Sequence, residues 1–291
     1  MIPEGVRVRV EEALSGVRGG AVRLLRVRRV GGGCISPAAR VETGAGERFF
    51  VKWAEAGEAP AGFFAAEAES LAALNATRTV RVPAVVAVDE AWLVLEWLEP
   101  GGSSGGTMTG LGRALAALHR RSGDRYGWER ANWIGSLPQA NDPSADWATF
   151  WRDRRLVPQL ERAYAGGYFA GPERRRFDRL LERLEEWLAP VAEEGPSLLH
   201  GDLWSGNVHV LASGEAALVD PSCYRGHREV DLAMTELFGG FGGGFRAAYE
   251  EAWPLLPGYA ESRRAVYQLY YLLVHVNLFG DAYVNRTLSL V

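Results

Sequence analysis

Apolar positions recur with two different periods along the chain. Between residues 21 and 53, AVRLLRVRRV, GGGCISPAARVET and GAGERFFVKW are β-branched and aromatic runs broken by glycine clusters, the pattern of antiparallel hairpins. The leading MIPEGVRVRV stretch alternates charge with branched apolar residues, as a half-exposed strand does. FFAAEAESLAAL then sets Phe64, Ala68, Leu71 and Leu74 at helical spacing, before two short strands, VRVPAVVAVDE and AWLVLEWLEP. Pro100 and Gly101–Gly102 end the second of these, and the glycine-rich run 101–106 reads as a linker.

Beyond the linker the period is helical. Leu111, Ala114, Leu115 and Leu118 align, and so do Phe177, Leu180, Leu181, Leu184, Trp187 and Leu188, with Arg and Glu on the other face. A Trp-rich stretch around GWERANWIGSLPQAND is too irregular to assign. NVHVLASGEAALVDP reads as a hairpin turning at Ser213-Gly214, and the apolar C-terminal third reads as helices. The expectation is an α+β chain in two parts. Residues 1–100 form a small antiparallel β lobe with one helix, with a hinge at about 96–102. Residues 103–291 form a larger, mainly helical lobe.

Composition narrows the class. At 291 residues, 47% hydrophobic and 23% charged, the chain has the make-up of a folded protein of one or two domains. No apolar run approaches the roughly 18–20 residues that span a bilayer, and the N-terminal stretch lacks a signal peptide's apolar centre. Two cysteines, Cys34 and Cys223, make no disulfide framework, which fits a reducing cytoplasm. A net charge of −4 argues against non-specific nucleic-acid binding. Of 32 basic residues, 31 are Arg and one is Lys. General replacement of Lys by Arg explains the bias but not the survivor. Lys52 is marked as a position where a compact ammonium fits and a planar fork does not.

Four places carry candidate chemistry. In HGDLWSGN, Asp202 and Asn207 are separated by four residues, and Asp220 follows at the far end of a short hairpin. Phosphoryl transfer needs such a set: Asp202 to take the proton of an attacking hydroxyl, Asn207 and Asp220 to hold Mg²⁺. Hard oxygen donors suit magnesium, and no Cys or His is placed to favour zinc. Taken alone, the same residues would make an ordinary Asx-rich turn. Lys52, in FFVKW, is followed fifteen residues on by Glu67 in the next helix. A strand lysine gripping ATP phosphates while held by a helix glutamate is the kinase arrangement, with Glu69 as competing partner. In VGGGCIS, Gly31, Gly32, Gly33 and Cys34 offer backbone N–H groups to phosphate without Cβ obstruction, and Cys34 there is a candidate redox-sensitive thiol. The run fits neither the dinucleotide nor the Walker pattern. Backbone groups of Glu96, Trp97 and Leu98 are placed to meet an adenine edge, although a plain buried strand would read the same.

Taken in order, these elements make a two-lobed protein-kinase-like fold. The chain then resembles the fructosamine kinase (ketosamine-3-kinase) family. The residues that carry the resemblance are GGGCISPA, RFFVKW, FFAAEAESLAAL, LVLEWL, NWIGSLPQAN, DWATFWRDRRLVPQL, LLHGDLWSGN, DPSCYRGHREVDLAM, LFGGF and YQLYYLLVHVNLFG, from about residue 30 to 280. Ser36-Pro37 departs from the pattern, which would have a polar residue and then a small one. The resemblance implies ATP-dependent phosphorylation of the third-carbon hydroxyl of ketosamines, the rearranged adducts of sugars with amines. Phosphorylation destabilises the adduct, so the activity is deglycation. It further implies Asp202 as base, Asn207 and Asp220 as Mg²⁺ ligands, and Lys52 with Glu67 as phosphate clamp.

Trp204 and Glu229 are candidates to stack on and neutralise a cationic ketosamine. Asp231 reads as a brace for the catalytic-loop backbone, and His119, His200 and His275 as satisfied core histidines. Two other readings stay open: an aminoglycoside or choline kinase of the same fold, and a non-catalytic nucleotide-binding regulator. The first would want a dense acidic pocket. The second should have lost one of Lys52, Asp202, Asn207 or Asp220, and none is missing. A monomer or weak dimer is expected, with no nucleic-acid or membrane partner.

Overall fold

The computed structural model describes residues 2–31, 36–54, 59–102 and 106–291. Two compact units emerge, Met1–Thr107 with Val208–Pro221, and Met108–Asn207 with Ser222–Val291.

The first unit is built on a five-stranded antiparallel sheet of β1 (Leu24–Val30), β2 (Ala38–Thr43), β3 (Arg48–Trp53), β4 (Val85–Val88) and β5 (Trp92–Glu96), in the order β1-β2-β3-β5-β4. Side chains alternate across a strand. Phe49, Val51 and Trp53 of β3 therefore enter one apolar cluster while Lys52 leaves on the other face. That cluster also takes Val10 and Leu14 from helix α1 (Glu4–Arg18). The leading segment is thus a helix and not the expected strand. Its local Val-Arg alternation is overridden by burial of Val10 and Leu14 at four-residue spacing, with Val6 packed alongside. A left-handed Gly19 (φ 70°) ends it, and Glu11 pins it by accepting the Leu24 N–H at 2.9 Å. The second helix of this unit, α2 (Phe63–Thr77), buries Phe64, Leu71 and Leu74 as the spacing predicts.

The hairpin β9 (Val208–Val210) and β10 (Ala216–Leu218), numbered along the whole chain, belongs to this unit. It is tied on both sides. Gly101 N–H donates to Val210 O at 2.8 Å and Ala212 N–H to Glu99 O at 3.0 Å, while Leu218 N–H reaches Arg81 O at 2.8 Å. Gly101 has to be glycine here, because a Cβ would sit 2.1 Å from the Leu211 carbonyl oxygen.

The second unit is mainly helical: α3 (Thr107–His119), α4 (Trp147–Trp151), α5 (Val157–Ala165), α6 (Gly171–Glu182), α7 (Leu184–Leu188), α8 (Glu229–Leu237), α9 (Gly242–Ala252), α10 (Arg264–Phe279) and α11 (Val284–Leu288). Two small hairpin-like pairs accompany them, β6 (Asn132–Ile134) with β7 (Leu137–Gln139), and β8 (Ser197–Leu199) with β11 (Tyr224–Gly226). The single stripe expected over 177–188 is two helices with a break at Arg183, although Phe177, Leu180, Leu184 and Leu188 do face inward. In the unassigned tryptophan-rich stretch, Trp147 and Trp151 enter the core beside Tyr267 and Tyr270. Trp147, Phe150 and Trp151 share one face of α4 at helical spacing, but the helix is five residues long, too short for its period to stand out from the irregular sequence around it.

Candidate active site

In the first unit, the β3 register sets Lys52 opposite Ala38 on one side and Leu93 on the other. From there its Nζ donates to Glu67 Oε1 at 2.9 Å and Oε2 at 3.1 Å, and also to Asp220 Oδ1. Glu67, and not Glu69, is therefore the lysine's partner. Burial works to strip the Lys52 proton, but the charges of Glu67 and Asp220 outweigh it and raise the ammonium's pKa. Burial pushes the Glu67 carboxyl up, against the pull of Lys52. Two carboxylates on one ammonium leave a surplus of negative charge when all are ionised, and that surplus is not equally accessible. The Asp220 side chain is 35% exposed, against 8% for Lys52 and 12% for Glu67. Asp220 is also left-handed, with φ 54°, one of two such non-glycine residues among those described. Held strain of this kind clusters at functional sites.

The connecting segment 96–98 is partly committed. Glu96 N–H donates to Ala84 O at 2.8 Å, and its carboxylate takes the Arg81 guanidinium. Arg40 lies 5.5 Å from the Trp97 ring centroid. His209 Nε2 donates to Leu98 O at 3.1 Å. Sequence reading missed His209. Its only signal is a polar residue in an otherwise apolar V-H-V strand. Gly31 is exposed with open space around its Cα, whereas Gly32, Gly33 and Cys34 lie outside the described residues.

In the second unit, the loop 200–207 is held from below. Asp231 accepts the His200 N–H at 2.8 Å and the Gly201 N–H at 2.9 Å, and pairs with His119 Nε2 at 3.1 Å. It is the expected brace. Burial would raise its carboxyl, but His119 and the backbone donors hold it below the usual range. Because Asp231 can only accept when ionised, His119 Nε2 carries a proton and Nδ1 accepts from the Tyr249 hydroxyl at 2.8 Å. Tyr271 clasps the same loop, donating to Gly201 O at 2.8 Å. Gly201 is left-handed (φ 84°), and a Cβ there would meet the Ser222 carbonyl oxygen at 2.0 Å.

This frame presents Asp202 and Asn207. Asn207 Nδ2 donates to Asp202 O at 2.9 Å and more weakly to Asp202 Oδ2 at 3.3 Å, which leaves its Oδ1 as the acceptor end of the amide. Trp204 is half-buried against Phe238, with ring centroids 6.5 Å apart. Glu229 is a correction. It is wholly buried, and both its oxygens are taken by Arg263 at 2.7 and 2.8 Å, so nothing of it is left for a ligand. His119 and His200 are fully buried, as expected, whereas His275 is only half-buried.

The residues fit magnesium in kind. Among the described residues no group of three or more His, Cys, Asp and Glu forms a cage. Mg²⁺ is commonly held by one or two protein oxygens, with phosphate and water completing the shell.

Solved structures share this architecture. A macrolide 2′-phosphotransferase aligns over 99% of the chain with a TM-score of 0.62 at 16% identity, a likeness of fold alone. The molecule has the protein-kinase-like fold. The family described as fructosamine kinase matches residues 7–291, and the chain belongs to that family. It is 39% identical over 283 residues to a probable ketoamine kinase of Synechocystis, covering 95% of this chain and 92% of that protein. It is 38% identical over 280 residues to a chloroplastic protein-ribulosamine 3-kinase of Arabidopsis thaliana, covering 94% and 83%. A Thermobifida fusca crystal structure, provisionally assigned as a fructosamine-3-kinase, superimposes with a TM-score of 0.88 at 34% identity, covering 97% of this chain and 96% of that one.

Proposed function

We propose that this protein transfers the γ-phosphoryl group of ATP to the 3-hydroxyl of ketosamines and so acts in deglycation. The observation that carries the reading is the Lys52 ammonium held between Glu67 and the more exposed Asp220. Names of the relatives, ketoamine kinase and ribulosamine 3-kinase, support the substrate class.

Asp202 is the base that accepts the proton of the sugar hydroxyl as its oxygen bonds to the γ-phosphorus and the bond to the departing ADP breaks. Lys52, fixed by Glu67, meets the ATP phosphates. Asp220 and the Oδ1 of Asn207 are the oxygens offered to Mg²⁺. Bound there, the ion would neutralise charge on the phosphates. Glu96–Leu98 meets the adenine edge, and Gly31–Cys34 lies along the phosphates. Trp204 stacks on the ketosamine. The protein works in the cytoplasm as a monomer or weak dimer, and no described helix is long and apolar enough to cross a membrane.

The test is ADP release with ribulosyl-lysine, fructosyl-lysine, kanamycin and choline. Turnover is expected with the ketosamines and not with the other two. Asp202→Asn should lower it at least about 10²-fold while ATP binding stays intact. Transfer to kanamycin or choline alone, or full activity in the variant, would overturn the assignment.

A further inference from the structure

The segment that follows β5 is fastened along its length. Glu96 gives its N–H to Ala84 O at 2.8 Å, and its carboxylate takes the Arg81 guanidinium and, at 3.1 Å, the Ala84 N–H. Arg40 lies over the Trp97 ring, Glu99 O accepts from Ala212 N–H at 3.0 Å, and Gly101 N–H reaches Val210 O at 2.8 Å. Between these ties, Leu98 O accepts from His209 Nε2 at 3.1 Å. A segment pinned at so many points holds one register, and a base that meets it must use the groups it leaves open.

His209 is the middle residue of β9, opposite Ala217 in β10, so its side chain leaves the strand on the face opposite Val208 and Val210. The carbonyl it meets can only accept, so Nε2 carries the proton. One of the two lone pairs of Leu98 O is therefore spent. An oxygen that already accepts one bond is a poorer acceptor for a second, and the imidazole crowds the approach to it. The Leu98 N–H, in contrast, bonds to no described group, although the residue is only 8% exposed. A buried donor without a partner is costly, and a ligand atom that accepts from it removes the cost.

At Leu98 the segment thus presents an open donor beside a carbonyl already in use. Adenine offers an acceptor at N1. Guanine has N–H at that same atom and a 2-amino group next to it, so donor would face donor, and the nearby carbonyl that could take either one is held by His209. Resting on the reading that Glu96–Leu98 meets the nucleotide base, we propose that His209 determines base choice: by occupying Leu98 O it makes the segment select adenine, whose N1 accepts the Leu98 N–H, over guanine. His209 acts through the Leu98 carbonyl, and the role needs no bond from its ring to the nucleotide.

Calorimetric binding of nucleoside triphosphates with Mg²⁺, and with no ketosamine present, tests this. The wild-type chain should bind ATP at least about tenfold tighter than GTP, the range of one buried donor left unpaired. Purine riboside triphosphate, which keeps the N1 acceptor and lacks the 6-amino group, should stay within severalfold of ATP. Inosine triphosphate, which has N1–H, should fall with GTP. His209→Leu frees the carbonyl and should lower the ATP-to-GTP affinity ratio about tenfold. His209→Gln, whose amide N–H can still reach Leu98 O, should keep the wild-type ratio. An unchanged ratio in His209→Leu would overturn the inference, and so would equal wild-type binding of inosine triphosphate and ATP, a result that needs no variant. Either result leaves the ketosamine assignment standing. A wild-type chain that binds none of these nucleotides would remove the kinase reading and this one together.

Discussion

An arginine in place of Lys52 would keep the positive charge but bring a planar fork into a space set by Glu67 and Asp220. The two ways of removing the ammonium should therefore separate. Lys52→Arg is expected to lower kcat/KM for ATP by about 10²-fold with only a modest loss of Tm. Lys52→Met leaves Glu67 buried without a partner, and breaking a buried pair costs about 3 kcal/mol. It should unfold at clearly lower temperature as well as lose activity. ATP titration and thermal unfolding of both variants check this, and equal Tm values would contradict it. Residue identity also explains one misreading. A glutamate that binds a ligand and one locked to a buried arginine look alike in a sequence, and only the Glu229–Arg263 pair tells them apart.

Among the elements, the 3₁₀ turn Ala189–Glu194 is fastened to the start of α8 by charge. Glu194 accepts from Arg228 Nη2 at 2.7 Å and from His227 Nε2 at 2.9 Å, beneath the Trp253 ring. Burial would raise the Glu194 carboxyl, but these donors pull it down to about 2 from an ordinary 4.5. A depressed folded-state pKa stabilises the fold fully above the ordinary value, and that stabilisation is lost as pH falls between about 4.5 and 2. The amount is on the order of 2–3 kcal/mol. Glu194→Gln should accordingly have a lower Tm at pH 7 and a shallower acid-side slope, so that the wild-type and variant curves converge near pH 2. Parallel curves over that range would refute the linkage.

For the whole molecule, ligand linkage is the available test of the clamp. Mg²⁺ with a non-hydrolysable ATP analogue should raise the wild-type Tm, by an amount that grows with ligand concentration as mass action requires. Chelating the metal should remove most of the gain, and Asp220→Asn should show little of it; an equal gain in Asp220→Asn would count against the role.

Much of this was legible in the letters. Asp202, Asn207 and Asp220 stand out because phosphoryl transfer wants those side chains at short spacings, and Lys52 because it is the one lysine among 32 basic residues. What was not legible depends on distant partners. The Val-Arg run of α1 alternates locally, yet burial of Val10 and Leu14 makes it a helix. The hairpin carrying Asp220 joins the first unit through backbone bonds to 99–101, which leave a trace only at Gly101. His275 read as a core histidine, and nothing in the apolar run around it announces that it is only half-buried.

The lone lysine has one more consequence. Reducing sugars condense with unprotonated amines, and the one side-chain amine in this chain is buried, with its proton held by two carboxylates. A member of the fructosamine kinase family whose surface cations are guanidinium groups throughout gives reducing sugars almost no side-chain amine to attack.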